Sequence, residues 1–388
     1  MIRNANAGLI VRKAAAATGL CCAISCVAVF AEPSNSKDGK APSSNWNMFR
    51  GNPQQTGVAR SDLPEKLAVR WKAELKEPVT STAAIVDGVV YVGADDNALH
   101  VLDFATGAEL WKYELQEAVR SSPTIVDGVA YFGDQEGVFH AVDLRTRKAK
   151  WTFKTDAEIV SSANVEAERV VFGSYDAFVY CLSIKDGSLL WKFETGGRVH
   201  GSPAVVDGLV IVAGCDEHLH VLKMADGKEV IRVSMGSVSG ASAAVVDSNV
   251  YVGTYGHQFL GIDWKAGTVL WTHEDTERQF PILSSAAIAD GGVLAGGRDK
   301  RLRSLDRKTG SPQWTFVTRG RIDGSPVVVG SRAFIGSSDG NLYAVNVESG
   351  KEDWRFETGA PISASPAVAG GCLVIGNEDG VIYCFCGS

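Results

Sequence analysis

The sequence predicts an all-β fold: an eight-bladed β-propeller of four-stranded antiparallel blades, closed by an N-terminal strand that completes the last blade. Three observations carry this expectation. Tryptophan recurs at a fixed interval, the same order of strands and turns recurs between the tryptophans, and the last unit lacks a strand that an orphan segment near the N-terminus supplies.

Trp71, Trp111, Trp151 and Trp191 lie forty residues apart; Ile231 takes the next place, Trp271 resumes the series, and Trp314 and Trp354 follow after a three-residue excess. A period of this length filled with short strands is that of a propeller blade. In one unit, Ser121-Ser122-Pro123-Thr124-Ile125-Val126 leads to Asp127-Gly128, then Val129 to Gly133, Val138 to Asp143, and Lys150-Trp151-Thr152-Phe153. Asp-Gly is a hairpin dipeptide because both central residues of the turn take positive φ, and Phe139, Ala141 and Asp143 show the two-residue period of a strand. Thr106-Gly107, Asp186-Gly187, Asp226-Gly227, Thr309-Gly310 and Ser349-Gly350 mark the third turn in other units. The last unit, Ser363 to Cys386, has three strands, and Leu67 to Ala73 around Trp71 is a tryptophan strand with no unit of its own. The seven tryptophans are expected to dock neighbouring blades. Blade five, with Ile231 instead, is expected to be a soft joint that Ile231→Trp would stiffen.

A chain of 388 residues exceeds the usual single core, and 42 Gly with only 21% charged residues suit many short strands better than long surface helices. Residues 1–31 read as a signal peptide: Arg3, Arg12 and Lys13 precede the uncharged, apolar run Ala14 to Phe30, and small residues allow cleavage after Ala31. Lipid attachment at Cys26, after Ala23-Ile24-Ser25, and retention as an uncleaved anchor are the alternatives. Residues 32–65 read as a flexible leader and propeller entry segment, and 66–388 as the propeller. Export predicts a periplasmic or secreted protein. Losing three basic residues takes the formal charge from −7 to −10, which argues against nucleic-acid binding. Of eight cysteines, Cys21, Cys22 and Cys26 fall in the leader; Cys181, Cys215, Cys372, Cys384 and Cys386 remain, an odd number that leaves at least one free thiol. Their scatter predicts small core residues and no disulfide framework.

The run Ala141 to Trp151, with better matches at Leu102 to Trp111 and Leu305 to Trp314, resembles the tryptophan-docking motif of the pyrroloquinoline-quinone (PQQ) dehydrogenases and their noncatalytic relatives. The opening Trp46-Asn47-Met48-Phe49-Arg50-Gly51-Asn52, followed by Thr56-Gly57, is similar to the start of bacterial proteins carrying this repeat. The resemblance covers residues 46–386 and implies the fold. In size and blade count the chain is similar to the noncatalytic propeller lipoproteins of the outer-membrane β-barrel assembly machinery, scaffolds that bind partners through loops. For a dehydrogenase the resemblance implies a calcium site of Glu, Asn and Asp, a catalytic Asp, a tryptophan beneath the cofactor and adjacent cysteines. None is recognisable, since the only adjacent cysteines are Cys21 and Cys22.

A propeller binds by default at the channel mouth, where the loop entering each first strand opens. Aligning the repeats places Thr80, Arg120, Val160, His200, Gly240, Leu283, Asp323 and Ser363 there. Packing positions stay small or apolar, so Arg120, His200 and Asp323 stand out; with Arg198 and Arg321 they make a candidate site for an anion or an acidic peptide segment. The alternative is that a solvated mouth tolerates charge. A second ring, Asp96, Glu136, Asp176, Glu217, Asp339 and Asp379, has the oxygen chemistry of calcium ligands, but in hairpin turns such carboxylates more simply satisfy local backbone donors. His218 and His220 share a strand face without further ligands. No catalytic residue, metal site or cofactor is expected, and no Ser/His/Asp arrangement or phosphate loop is present.

The leading expectation is an exported, monomeric, non-enzymatic scaffold that binds a protein partner in the cell envelope, in the manner of outer-membrane protein assembly factors. The alternatives are a PQQ- and calcium-dependent oxidoreductase of alcohols or sugars, and a small-anion sensor using Arg120, His200 and Arg321.

Overall fold

The computed structural model describes residues 45–276 and 278–387; the expected signal peptide, its cleavage after Ala31, the alternative at Cys26 and the first part of the leader lie outside the described residues. The described chain forms eight four-stranded antiparallel sheets.

Blade one shows how the repeat becomes a sheet. Ala84–Val86 is innermost, followed by Val89–Ala94, Ala98–Asp103 and Glu109–Glu114 at the rim. The first hairpin turns at Asp87 and Gly88, with φ of 50° and 80°, left-handed values that Asp tolerates and Gly adopts freely. The two middle strands are almost wholly buried, whereas the outer strand alternates exposed and half-buried residues. The middle strands are covered on both faces by neighbouring blades, and only the rim meets water. Cores therefore sit between blades, as where Phe139 stacks on Phe172 with ring centroids 4.0 Å apart.

The indoles cross these joints. Trp71 Nε1 donates to the Phe104 carbonyl at 2.9 Å, Trp151 to Ile184 at 3.1 Å, Trp191 to Met224 at 2.9 Å, Trp271 to Arg307 at 3.0 Å and Trp314 to Val347 at 2.8 Å. Each ring lies on the next blade's glycine: a Cβ on Gly107 would come within 2.5 Å of the Trp71 ring. At the joint of Trp111 that glycine is replaced by Arg147, whose guanidinium stacks 5.6 Å from the indole. Trp354 faces the blade without such a turn and packs edge-on against Phe385 instead.

Blade eight consists of Ala367–Ala369, Cys372–Gly376 and Val381–Gly387, with Leu67–Glu74 as its outer strand. The closing pair runs from Leu67 opposite Gly387 to Glu74 opposite Val381. Cys372 and Cys386 form a disulfide across two neighbouring strands of this blade. That corrects the expectation that the mature cysteines are only core filler: residues fourteen apart in sequence are brought opposite each other by the hairpin. Cys181, Cys215 and Cys384 are free.

Residues 45–65 are not a loose leader. The segment enters the channel and bonds the inner strands in turn: Trp46 exchanges two backbone bonds with Ile85, Ile125 N–H donates to Asn47, Val205 to Pro53, Val245 to Gln54, Ile288 to Thr56 and Val328 to Gly57. The Asn164 side chain of blade three also donates to Pro53, and Gly371 N–H of blade eight donates to Ser61 Oγ. The segment thus ties all eight blades together. Composition suggested flexibility because most of these bonds are made by backbone atoms, which leave no trace in side-chain pattern.

The Ile231 joint also differs from expectation: Ile231 lies on the outer strand of blade four, Glu229–Ser234, and not on blade five, which it faces. Ile231 packs against a core that includes the buried Trp264, which stands where Phe104, Ile184 and Met224 stand in other blades and donates to the Asp247 carbonyl at 3.2 Å. The aromatic bulk missing from one side of the joint is supplied from the other, so the joint is filled. Ile231→Trp should therefore overpack it and lower stability by about 1–3 kcal/mol, while Ile231→Trp with Trp264→Leu should recover most of the loss. Calorimetric melting checks this, and a rise in midpoint for the single variant would contradict the filled joint.

Candidate functional site

The first strands bring the predicted mouth positions to one axis. Thr80, Val160, His200, Gly240, Leu283, Asp323 and Ser363 line a common cavity of about 150 Å³. Beneath them lies a second ring that the alignment contains but charge patterning did not flag: Thr82, Ser122, Ser162, Ser202, Ser242, Ser285, Ser325 and Ser365. Each hydroxyl from Ser122 to Ser365 accepts the backbone N–H of the corresponding residue of the preceding blade at 2.8–3.0 Å. Serine is required by this geometry: its oxygen reaches a neighbouring blade's amide while filling little of the crowded axis. Phe49, from the entry segment, also lines the cavity. With that segment bonded across the inner strands, the channel is a cup, open at the predicted mouth.

The charged residues of the mouth are largely engaged with one another. Arg120 makes a two-pronged pair with Asp95, at 3.1 and 2.9 Å, and is drawn away from the axis. Asp323 is held by Arg298 at 2.8 Å and by Arg321 at 2.6 Å. The predicted five therefore do not form one cluster. Arg321 meets Asp323, Arg198 meets His200 at a second pocket, and Arg120 stands with Asp95.

That second pocket, about 230 Å³, is lined by Tyr175, Arg198, His200, Cys215, Val238 and Tyr255. The Tyr175 hydroxyl and His200 Nδ1 share a hydrogen bond of 2.5 Å. Burial pulls the His200 pKa below its ordinary value and raises that of Tyr175 to about 12, so both are neutral at pH 7. The Arg198 guanidinium lies 5.2 Å from the Tyr175 ring centroid, and Tyr255 is 40% exposed. Tyr175, Tyr255 and Arg298 were missed. They share one turn column with Asp95, Gln135, Cys215, Ser338 and Glu378, whose variation from blade to blade was the available signal.

The acidic turn residues are used locally where their bonds are seen. Asp176 accepts the Tyr180 hydroxyl and the N–H groups of Asp156 and Phe178; Asp339 does the same for Tyr343, Arg319 and Asn341. Asp96 binds the buried His100. His220 spends both ring nitrogens, on Asp216 and Glu229, and makes no ligand pair with His218.

The family described as "Beta-alanine-activating enzyme, beta-propeller" matches residues 127–385. BamB from Moraxella catarrhalis superposes with a TM-score of 0.72 at 20% identity, covering 83% of this chain and 100% of that one. The computationally designed Ika8 protein does so with 0.71 at 18% identity, covering 85% and 98%. Quinohemoprotein alcohol dehydrogenase from Comamonas testosteroni gives 0.77 at 15% identity, covering 88% and 80%. At these identities the likeness is one of fold. No curated protein sequence matches the chain.

The buried imidazole makes a pH prediction. Because the folded-state pKa of His200 lies below 6.5, the unfolded chain binds the extra proton between the two values. This contribution is full above about pH 6.5 and is lost as pH falls below it; His273, also depressed by burial, acts in the same direction. The melting midpoint should fall from pH 7 to pH 5, and His200→Gln should flatten part of that fall. Superposable profiles for wild type and variant would contradict it.

Proposed function

We propose that this chain, which belongs to the β-propeller family described for the β-alanine-activating enzyme, is an exported, non-enzymatic scaffold that holds a protein partner at its channel mouth. The observation that carries the reading is the pocket beside the cup. Tyrosine and arginine are the side chains that anchor protein interfaces, because they combine large contact area with directional polar tips. Here Tyr175, Arg198 and Tyr255 present such a surface next to the closed cup. BamB supplies an analogy of fold.

The fold likeness to a quinohemoprotein raises the alternative of a calcium-bound quinone in the channel, and the residues present do not fit that group. A cavity of about 150 Å³ falls short of the roughly 300–1,000 Å³ of ordinary ligand pockets. Calcium takes six or more oxygen ligands, with carboxylates prominent, whereas the cup offers neutral hydroxyls, seven of them already accepting N–H groups, and one carboxylate, Asp323, held by two arginines.

A photo-crosslinking residue at position 255, in the cells that make the protein, should give one discrete protein adduct. Arg198→Ala with Tyr175→Phe should reduce it severalfold while the propeller stays folded. An uncrosslinked band alone, or an adduct indifferent to both changes, would overturn the reading.

A further inference from the structure

We infer that Cys372, Cys384 and Cys386, once their disulfide is reduced, form a three-sulfur site for copper(I) inside blade eight. The three Sγ atoms lie within 4.8 Å of one another, and Cys384 Sγ is 3.7 Å from Cys386 Sγ. The backbone sets this arrangement. Cys384 and Cys386 are two apart on the strand Val381–Gly387, so the pleat turns both to one face. The neighbouring strand Cys372–Gly376 brings Cys372 to Cys386 on that face. Two thiolates bonded to one ion, each about 2.3 Å from it, stand about 3.8–4.0 Å apart for tetrahedral to trigonal angles. Cys384 and Cys386 are already close to that separation, and opening the disulfide returns Cys372 Sγ to contact distance, which completes the triangle.

The donor set selects the ion. All three sulfurs are buried, with Cys386 the nearest to solvent. Burial pushes the Cys384 pKa up to about 12, so at neutral pH it is a thiol and a poor nucleophile toward the disulfide beside it. A coordinated cation removes that obstacle, because it displaces the proton itself. Soft thiolate ligands select copper(I), zinc and iron–sulfur clusters. Closed zinc sites take four protein ligands and iron–sulfur clusters four cysteines, whereas among the described residues no fourth His, Cys, Asp or Glu stands with these three. Three sulfurs are a full shell for trigonal copper(I). Arg70, whose Nη1 lies 3.9 Å from Cys386 Sγ, offsets part of the negative charge that three thiolates leave around a monovalent ion.

Oxidation state gates the site. In the disulfide form two of the three sulfurs are bonded to each other and only Cys384 is a thiol. Two electrons and two protons open the S–S bond to two thiols; a thiol reductant leaves as its own disulfide, a phosphine as its oxide with oxygen from water. One copper(I) then replaces three protons. Oxidised, these sulfurs fasten two strands of the closing blade; reduced, they hold a soft ion between the same strands. None of them lines the cup or the aromatic pocket, so this site stands independently of the partner reading.

The test uses the full chain carrying Cys21→Ser, Cys22→Ser and Cys26→Ser, so that no leader thiol competes. It is reduced with a phosphine, freed of reductant without oxygen, and titrated with copper(I) against the chelator bicinchoninate. The reduced chain should hold one copper(I) against the chelator, with X-ray absorption showing a shell of three sulfurs, and should melt at a higher midpoint with the ion than without it. The unreduced chain, which keeps Cys181, Cys215 and Cys384 as thiols, is the control and should hold none. Cys384→Ser leaves the disulfide pair in place and should lower the copper affinity of the reduced chain by at least about tenfold, the loss that even an outer partner of a ligand causes. Where reduction alone opens the blade, copper(I) should restore the melting transition, and failure to restore it would overturn the assignment. So would no copper held against the chelator, equal retention by the unreduced chain or by reduced Cys384→Ser, or zinc(II) bound in preference to copper(I).

Discussion

The pairing of Leu67–Glu74 with Val381–Gly387 is the contact on which the rest depends. No blade is stable alone: the inner strands are mostly three residues long, and the middle strands find apolar cover only in the blades on either side. A ring of such units gains its last joint only when both chain ends enter one sheet. Reinforcement gathers at this seam. The disulfide Cys372–Cys386 crosses the two C-terminal strands of blade eight, Trp71 docks the completed blade on blade one, and Arg332 of blade seven donates to the carbonyls of Leu63, Pro64 and Glu65 just before the closing strand.

Closure from the N-terminus has a functional consequence. To reach blade eight, residues 46–58 pass through the channel and bond its inner strands, so the same stretch that delivers the closing strand also stops one end of the axis. The proposed binding surface is the opposite mouth. There the first-strand and turn columns vary most freely, because neither is committed to docking a neighbour. The architecture separates conserved geometry from adjustable chemistry within each forty-residue unit.

Much of this was legible in the sequence because the repeat reports side-chain burial directly. Trp71, Trp111 and Trp151 reveal the joints, Asp127-Gly128 the hairpins, and the orphan Leu67-to-Ala73 run the closure. What escaped notice was written in other terms. The path of residues 46–58 is set by main-chain bonds. The disulfide depends on register within a hairpin. The replacement of Ile231 is a volume exchange with Trp264, visible only when two blades are seen together. At the mouth, charge drew attention to Arg120 and Asp323, yet each is paired, to Asp95 and to Arg298 with Arg321, because opposite charges on adjacent blades find one another. The neutral residues Tyr175, Tyr255 and the serine ring shape the surface that is left.

The central claim is that this propeller works by binding at its mouth and performs no quinone chemistry. The most direct measurement is a calorimetric titration of the purified protein with pyrroloquinoline quinone and calcium, followed by dye reduction with alcohols and aldoses. The account predicts neither saturable quinone binding nor dye reduction; saturable binding with turnover would contradict it and make the cup a catalytic centre.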